Sequence, residues 1–508
     1  MRKPKLVVGL VTVTSVLLAL SGCGTRISGV NADGSIDGTG TTTGSTGGLP
    51  GSAQGSGTSG TTGSSQGGAA TTGGTGANGQ TGTTGLSGGT STSAGSSGSS
   101  TGAATNSAHS PVNIGFTTLP DAASFQASFG VNSSTGDQTA EIKAAVAWVN
   151  AHGGLAGHPI KPFIESLSIT SSQSYDTQYQ ALCQKYTQDD HVVAATIQPT
   201  GADDNMDACM SQGRTLFVTG AGASHDQLDY QRHPYVVSPS EPTTPALAKT
   251  MAGMVLQRNA VPKGGKLGVI NYDVREYNEA ISKYVKPMMA QAGIGITQYT
   301  IAPIRSTPEI GNAVSAVQSA ELKMRSQNIQ TVMFLCPSCL AVFAESAKQQ
   351  GYNPKYVFSS LDTPVAGTDP IFKTSFGVGF SPVTQDQYVY NNPKSFTGNP
   401  TFDVCKKIET DAGQATSATS LAYAMALCDA VMSIYSAAQA NPVSPVTADS
   451  LRQGMLAEGS RYPDALSWGT SLTPQTHAGD QKYKPMQWSD ACSCLAYYGP
   501  VLTFPRDS

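Results

Sequence analysis

Between Gly24 and Ser110 the chain contains no Phe, Trp or Tyr and only three charged residues, Arg26, Asp33 and Asp37. The segment is built almost wholly of Gly, Ser, Thr, Ala and Asn. It cannot bury enough apolar surface to offset the entropy lost on ordering, so it is predicted to be a disordered tether. As a flexible coil its ends would lie about 50 Å apart. That removes the segment from any core and leaves residues 111–508 of this 508-residue chain as the folding module. Such a length is ample for a core divided between two lobes.

Ahead of the tether, Arg2, Lys3 and Lys5 precede an apolar run from Leu6 to Leu20. The run is too short to span a bilayer comfortably and reads as a signal-peptide core. It ends in Leu20-Ser21-Gly22-Cys23, which resembles the lipobox of bacterial lipoproteins. The resemblance implies that Cys23 becomes the lipidated N-terminus of a protein held outside the cytoplasm at a membrane surface. No second apolar stretch reaches spanning length, which argues against a channel or a transmembrane receptor. The net charge of −4 comes without a basic stripe, which argues against a nucleic-acid partner. Of nine cysteines, eight remain if Cys23 is lipidated, and in an oxidising compartment disulfides are the default expectation.

Within the module, strand-like runs alternate with amphipathic helical patterns. Val112–Phe116 is predicted as a strand and Asp137–Asn150 as a helix, with Ile142, Ala145, Val146 and Val149 on one face. Gly153 and Gly154 permit the left-handed turn that ends it. Further strands are expected at Val192–Ile197, Thr215–Val218, Lys266–Asn271, Thr331–Leu335 and Tyr356–Ser359. This alternation predicts an α/β fold with doubly wound parallel sheets, whose ligands would sit beyond the carboxyl ends of the strands.

The run Val149-Asn150-Ala151-His152-Gly153-Gly154-Leu155-Ala156-Gly157-His158-Pro159-Ile160 resembles a signature of type 1 periplasmic binding proteins, the leucine/isoleucine/valine-binding group. Tyr235–Ser240, Asn271–Tyr277 and Cys428-Asp429-Ala430 are similar to further segments of that family. The resemblance runs from about Val112 to Leu451. It implies two lobes joined by three crossover strands, lobe one at about 111–238 and 369–455 and lobe two at about 239–368 and 456–508. It also implies a small-molecule ligand, an ABC transporter permease as partner, a monomer, and no cofactor or metal. The rival expectation is a sensor lipoprotein of the same fold that signals to a partner protein.

By the same resemblance, ligand contacts come from Thr200-Gly201, from the loop Gly222-Ala223-Ser224, from Tyr277 and from Asp362. Ser224 would bind a carboxylate and Asp362 an ammonium group, which hints at an amino acid or similar polar metabolite. The family usually carries a serine where this chain has Thr200-Gly201, which keeps amides, urea-like compounds and aromatic acids open. Phe125 and Phe129 offer an aromatic wall, or simply core.

Cys183 with Cys209 and Cys405 with Cys428 are candidate bridges. Cys336 and Cys339 form a C-x-x-C at a helix start, an arrangement that lowers a thiol pKa and raises a redox reading. Together with Cys492 and Cys494 they are also the one candidate zinc set. The pairing stays open, since eight cysteines allow 105 connectivities. G-x-S-x-G matches at Gly85–Gly89 and Gly63–Gly67 fall inside the tether and follow no strand, and no catalytic constellation assembles.

Overall fold

The computed structural model describes residues 109–127, 134–197, 204–220, 225–362, 369–382, 398–414 and 418–506. All of them belong to the second of the chain's two units, Gly98–Ser508. The leader, Cys23 and the tether up to residue 108 lie outside the described residues.

Lobe one is built on β1 (Val112–Thr118), β2 (Ile160–Ser166), β3 (Ala194–Ile197), β4 (Leu216–Thr219) and β5 (Val236–Val237). They form a parallel sheet in the order β2-β1-β3-β4-β5. Alternation sends successive side chains to opposite faces. Leu216 and Val218 join the cluster that contains Ile142, Val146 and Val149 of α2 (Gln138–Ala151), whereas Phe217 joins Tyr179 and Leu182 of α3 (Tyr175–Gln184) on the other face. A short helix, α1 (Ala122–Ala127), follows β1, and α4 (Asp204–Gln212) and α5 (Gln227–Arg232) flank β4 and β5.

The family-like segment 149–160 builds this lobe. The Asn150 amide donates to Ile160 O at 3.0 Å and accepts from Ile160 N at 2.6 Å, which pins the start of β2. Gly154 turns the chain at φ +65°, where a Cβ would lie 2.2 Å from His158 O, so only glycine fits.

Lobe two carries α6 (Thr244–Gln257), β6 (Lys266–Tyr272), α7 (Arg275–Ala280), α8 (Lys286–Gln291), β7 (Gly295–Ile301), α9 (Thr307–Ser326), β8 (Thr331–Leu335), α10 (Cys339–Gln349), β9 (Lys355–Ser359) and β10 (Phe376–Gly379). Strands β7-β6-β8-β9-β10 run parallel. Met333 and Leu335 face the cluster of α6 to α8, and Val332 and Phe334 face that of α9 and α10. Helices therefore cover both faces of each sheet, as expected of a doubly wound fold.

Two features differ from the expected layout. Phe376–Gly379 is a strand of the second sheet, so the chain returns to lobe one after Gly379 rather than at 369. It returns as α11 (Pro400–Asp411), α12 (Ala418–Ala440) and α13 (Ala448–Glu458), which pack in the lobe-one cluster with Ala465, Leu466 and Leu472. The second sheet also gains an antiparallel margin, β11 (Lys482–Ser489) and β12 (Cys494–Tyr497), with β13 (Leu502–Thr503) paired to β11. A tight turn can join only antiparallel neighbours, and the long C-terminal segment supplies that hairpin.

The first and third crossovers run side by side. Ser238 N donates to His477 O, Gly479 N to Ser238 O and Asp480 N to Glu241 O, at 2.7 to 3.0 Å. Among the described residues no helix is long and apolar enough to cross a membrane.

Candidate functional site: the interlobe cleft

Parallel strands place their carboxyl ends, and the loops that follow, on one edge of each lobe. In lobe two the adjacent strands β9, β8 and β6 present Asp362, the Cys336–Cys339 loop and Tyr272 there. Asp362 is 3 % exposed. Its Oδ2 accepts from Ser359 N at 2.9 Å and from Ser359 Oγ at 3.4 Å, while Oδ1 has no hydrogen-bond partner among the described residues. Burial pushes this carboxyl well above its ordinary range, and the Ser359 donors only partly oppose it. Tyr272 Oη donates to Pro337 O at 3.0 Å, inside the C-x-x-C loop. Burial raises this phenol too, with the Asp362 charge adding to the effect.

In lobe one, the segments holding Thr200, Gly201, Gly222, Ala223 and Ser224 lie outside the described residues, as does Phe129. The chain resumes at His225, which is buried with Nε2 2.9 Å from Asp207 Oδ2 and Nδ1 3.9 Å from Glu241 Oε2. Burial works against its charge, but the two carboxylates outweigh it and hold the imidazole protonated. Asp226 then caps α5, its Oδ1 accepting from Leu228 N and Asp229 N, while Asp229 returns a bond to Asp226 N.

Arg275, at the start of α7 in lobe two, crosses to this cap. It pairs with Asp226 at 2.6 Å and with Asp229, and on its own helix it reaches Glu276 at 2.8 Å. Asp204, Asp229 and Glu276 offer carboxylate atoms within 4.8 Å of one another, and the guanidinium already bridges Asp229 and Glu276. Burial lifts Glu276 to about 7, and Asp229 nearby adds to it.

The cross-lobe cluster of His225, Asp226, Asp229 and Arg275 was not singled out from sequence. Its one legible signal is the D-x-x-D capping pattern at the start of α5.

Of the two expected lobe-two contacts, Asp362 stands beyond a strand end. Tyr277 is 1 % exposed inside the apolar cluster of α6 to α8. Phe125 packs against the α3 cluster of lobe one. Asp429, expected in a family-like helix, is buried and accepts from Tyr462 Oη and Ala465 N, both at 2.7 Å, which ties α12 to the segment leading into the third crossover. The cysteines pair as Cys183–Cys209, Cys336–Cys339, Cys405–Cys428 and Cys492–Cys494. Cys336 and Cys492 each have their partner within their own loop.

Two lobes of parallel sheet, with the first and third crossovers side by side, define a two-lobed α/β protein. The chain belongs to the periplasmic binding protein family, whose model matches residues 124–493. Solved structures share the fold. A substrate-binding protein of an ABC transporter from Aeropyrum pernix is 12 % identical, with a TM-score of 0.58 over 78 % of this chain and 97 % of that one. A branched-chain amino acid ABC transporter protein from Thermus thermophilus, with bound valine, is 13 % identical, with a TM-score of 0.55 over 78 % and 97 %. A solute-binding protein from Rhodopseudomonas palustris, in complex with 3,4-dihydroxybenzoic acid, is 13 % identical, with a TM-score of 0.55 over 78 % and 98 %. No curated protein matches the sequence significantly.

Proposed function

We propose that this chain is an extracytoplasmic solute-binding protein, anchored through lipidated Cys23, that delivers a small polar ligand to an ABC-type importer. The observation that carries the reading is a buried carboxylate just beyond a strand end in one of two parallel-sheet lobes, Asp362, whose Oδ1 has no hydrogen-bond partner among the described residues. A ligand ammonium would supply the missing partner and offset the cost of burying that charge. Ser224 and the backbone of Gly222 and Ala223 would take a ligand carboxylate from lobe one, with Thr200-Gly201 beside them. Ligand bridging both walls would favour the closed form, which the permease then recognises. Residues 24–110 would give the module its reach from the membrane.

The test is a thermal-shift screen against amino acids, amides, aromatic acids and fatty acids, followed by calorimetry on hits. A member of one class should raise the melting temperature in proportion to the logarithm of its concentration. A flat response across all classes, or recovery of a chemically altered compound, would defeat the reading.

A further inference from the structure

The segment Ala302–Thr307, between β7 and α9 of lobe two, makes a second contact with lobe one, apart from the Arg275 cluster. Ile304 packs against both the α9/α10 cluster of its own lobe and the α3 cluster of lobe one. Thr307 Oγ1 sits 3.0 Å from Ile169 O and 2.8 Å from Ser171 O, donating to carbonyls in the loop after β2. Tyr175 N donates to Arg305 O at 2.7 Å.

That last bond fills a standing vacancy. The first N–H groups of a helix have no intrahelical acceptor, and Tyr175 is the first residue of α3. Its orphan donor is satisfied by a carbonyl from the other lobe. The starts of α3 and α9 thereby meet, two positive dipole ends in proximity. Asp176 in the first turn of α3 lies 3.2 Å from Arg305, and Glu309 in the first turn of α9 accepts from Arg305 N at 2.7 Å, so each start carries a compensating carboxylate. The Arg305–Asp176 pair is exposed and contributes little. The apolar knob and the backbone-directed bonds carry the contact.

We propose that Ala302–Thr307 is a closing strap, a segment of lobe two that grips the lobe-one segment at 169–176 and holds the two lobes together at a contact separate from the hinge crossovers. The proposal rests on the reading of the cleft as a site that opens and closes. Its chemistry suits a reversible grip, because every polar group involved is solvated equally well by water when the lobes part. Closure would then draw part of its free energy from lobe–lobe contacts, leaving the ligand to bias an equilibrium that already exists.

Amide hydrogen exchange of the ligand-free full chain tests this without any ligand. The Tyr175 amide should exchange much faster than the amides of β1 and β6, reporting opening short of unfolding. Ile304→Ser and Thr307→Val should each raise its rate, by about tenfold when combined, with β1 and β6 unchanged. Exchange of Tyr175 only in step with β1, or a rate unmoved in both variants, would overturn the strap. Thr307→Val alone keeps the test decisive if the double variant does not fold. A failed ligand screen would refute the transport reading and leave this measurement standing.

Discussion

Arg275 Nη1 lies 2.6 Å from Asp226 Oδ2, joining the start of α7 in lobe two to the residue that caps α5 in lobe one. The bond ties together the two chain segments that flank the expected ligand loops. Arg275→Gln would leave Asp226 and the buried Asp229 facing one another without the guanidinium that pairs with both. The expected loss of stability at pH 7 is roughly 2–4 kcal/mol, below the cost of breaking a fully buried pair because Arg275 keeps some exposure. Asp226 is held below its ordinary value by Arg275 against the opposing effect of burial. Its contribution is therefore present above about pH 4 and lost as the pH falls further. Denaturant midpoints measured at pH 7 and pH 3 check both halves, and equal midpoints for variant and parent at pH 7 would refute the role.

Glu141 on α2 and Glu409 on α11 are both fully buried, with no hydrogen-bond partner for any of their four carboxylate oxygens among the described residues. Burial raises Glu141 to about 8, with Glu409 adding repulsion, and raises Glu409 to about 7. A carboxyl that holds its proton more tightly when folded costs stability as pH climbs from its unfolded value of 4.5 to its folded one. The parent should thus lose stability between pH 5 and pH 8. Glu409→Gln should flatten that slope and stabilise the protein at pH 8 by about 2 kcal/mol. A parent whose denaturant midpoint is level from pH 5 to pH 8 contradicts this.

Asp362 carries a prediction conditional on the proposed ligand. Because burial pushes its carboxyl up, an ammonium ligand must draw it into the ionised form. Affinity for an amine-bearing hit should rise with pH until the carboxyl has titrated. Asp362→Ala should weaken binding at least tenfold, and Asp362→Asn should abolish the pH dependence. Calorimetry at several pH values decides it, and unchanged affinity in the alanine variant removes Asp362 from the site.

Gly479 lets the first and third crossovers touch. A Cβ there would lie 2.2 Å from Pro239 O, a backbone atom that cannot swing aside. Gly479→Ala should force the crossovers apart and cost about 2–3 kcal/mol. A melting temperature within a degree of the parent would show that the crossovers have slack.

Periodicity and turn chemistry revealed the strands and the alternation at Val112, Lys266 and Thr331, because two-sided burial leaves a local mark on the sequence. The Asn150–Gly154 run disclosed its family for the same reason: its amide and glycines serve backbone geometry within a dozen residues. The return to lobe one after Gly379 and the added β11–β12 hairpin were not visible, since strand order is a matter of long-range pairing.

The sequence alone showed which residues of the first strand and of the helix at 137–150 could be core, and where that helix ends. Only the tertiary structure decided that Arg275 meets Asp226, that Tyr175 borrows a carbonyl from Arg305, and that Asp362 is buried with one oxygen unpaired among the described residues. The first two of those relationships join residues 49 and 130 positions apart, and a single side chain carries no local trace of a partner that distant. Electrostatics and burial depend on what the fold brings near, and that is fixed only when both lobes have closed around their cores.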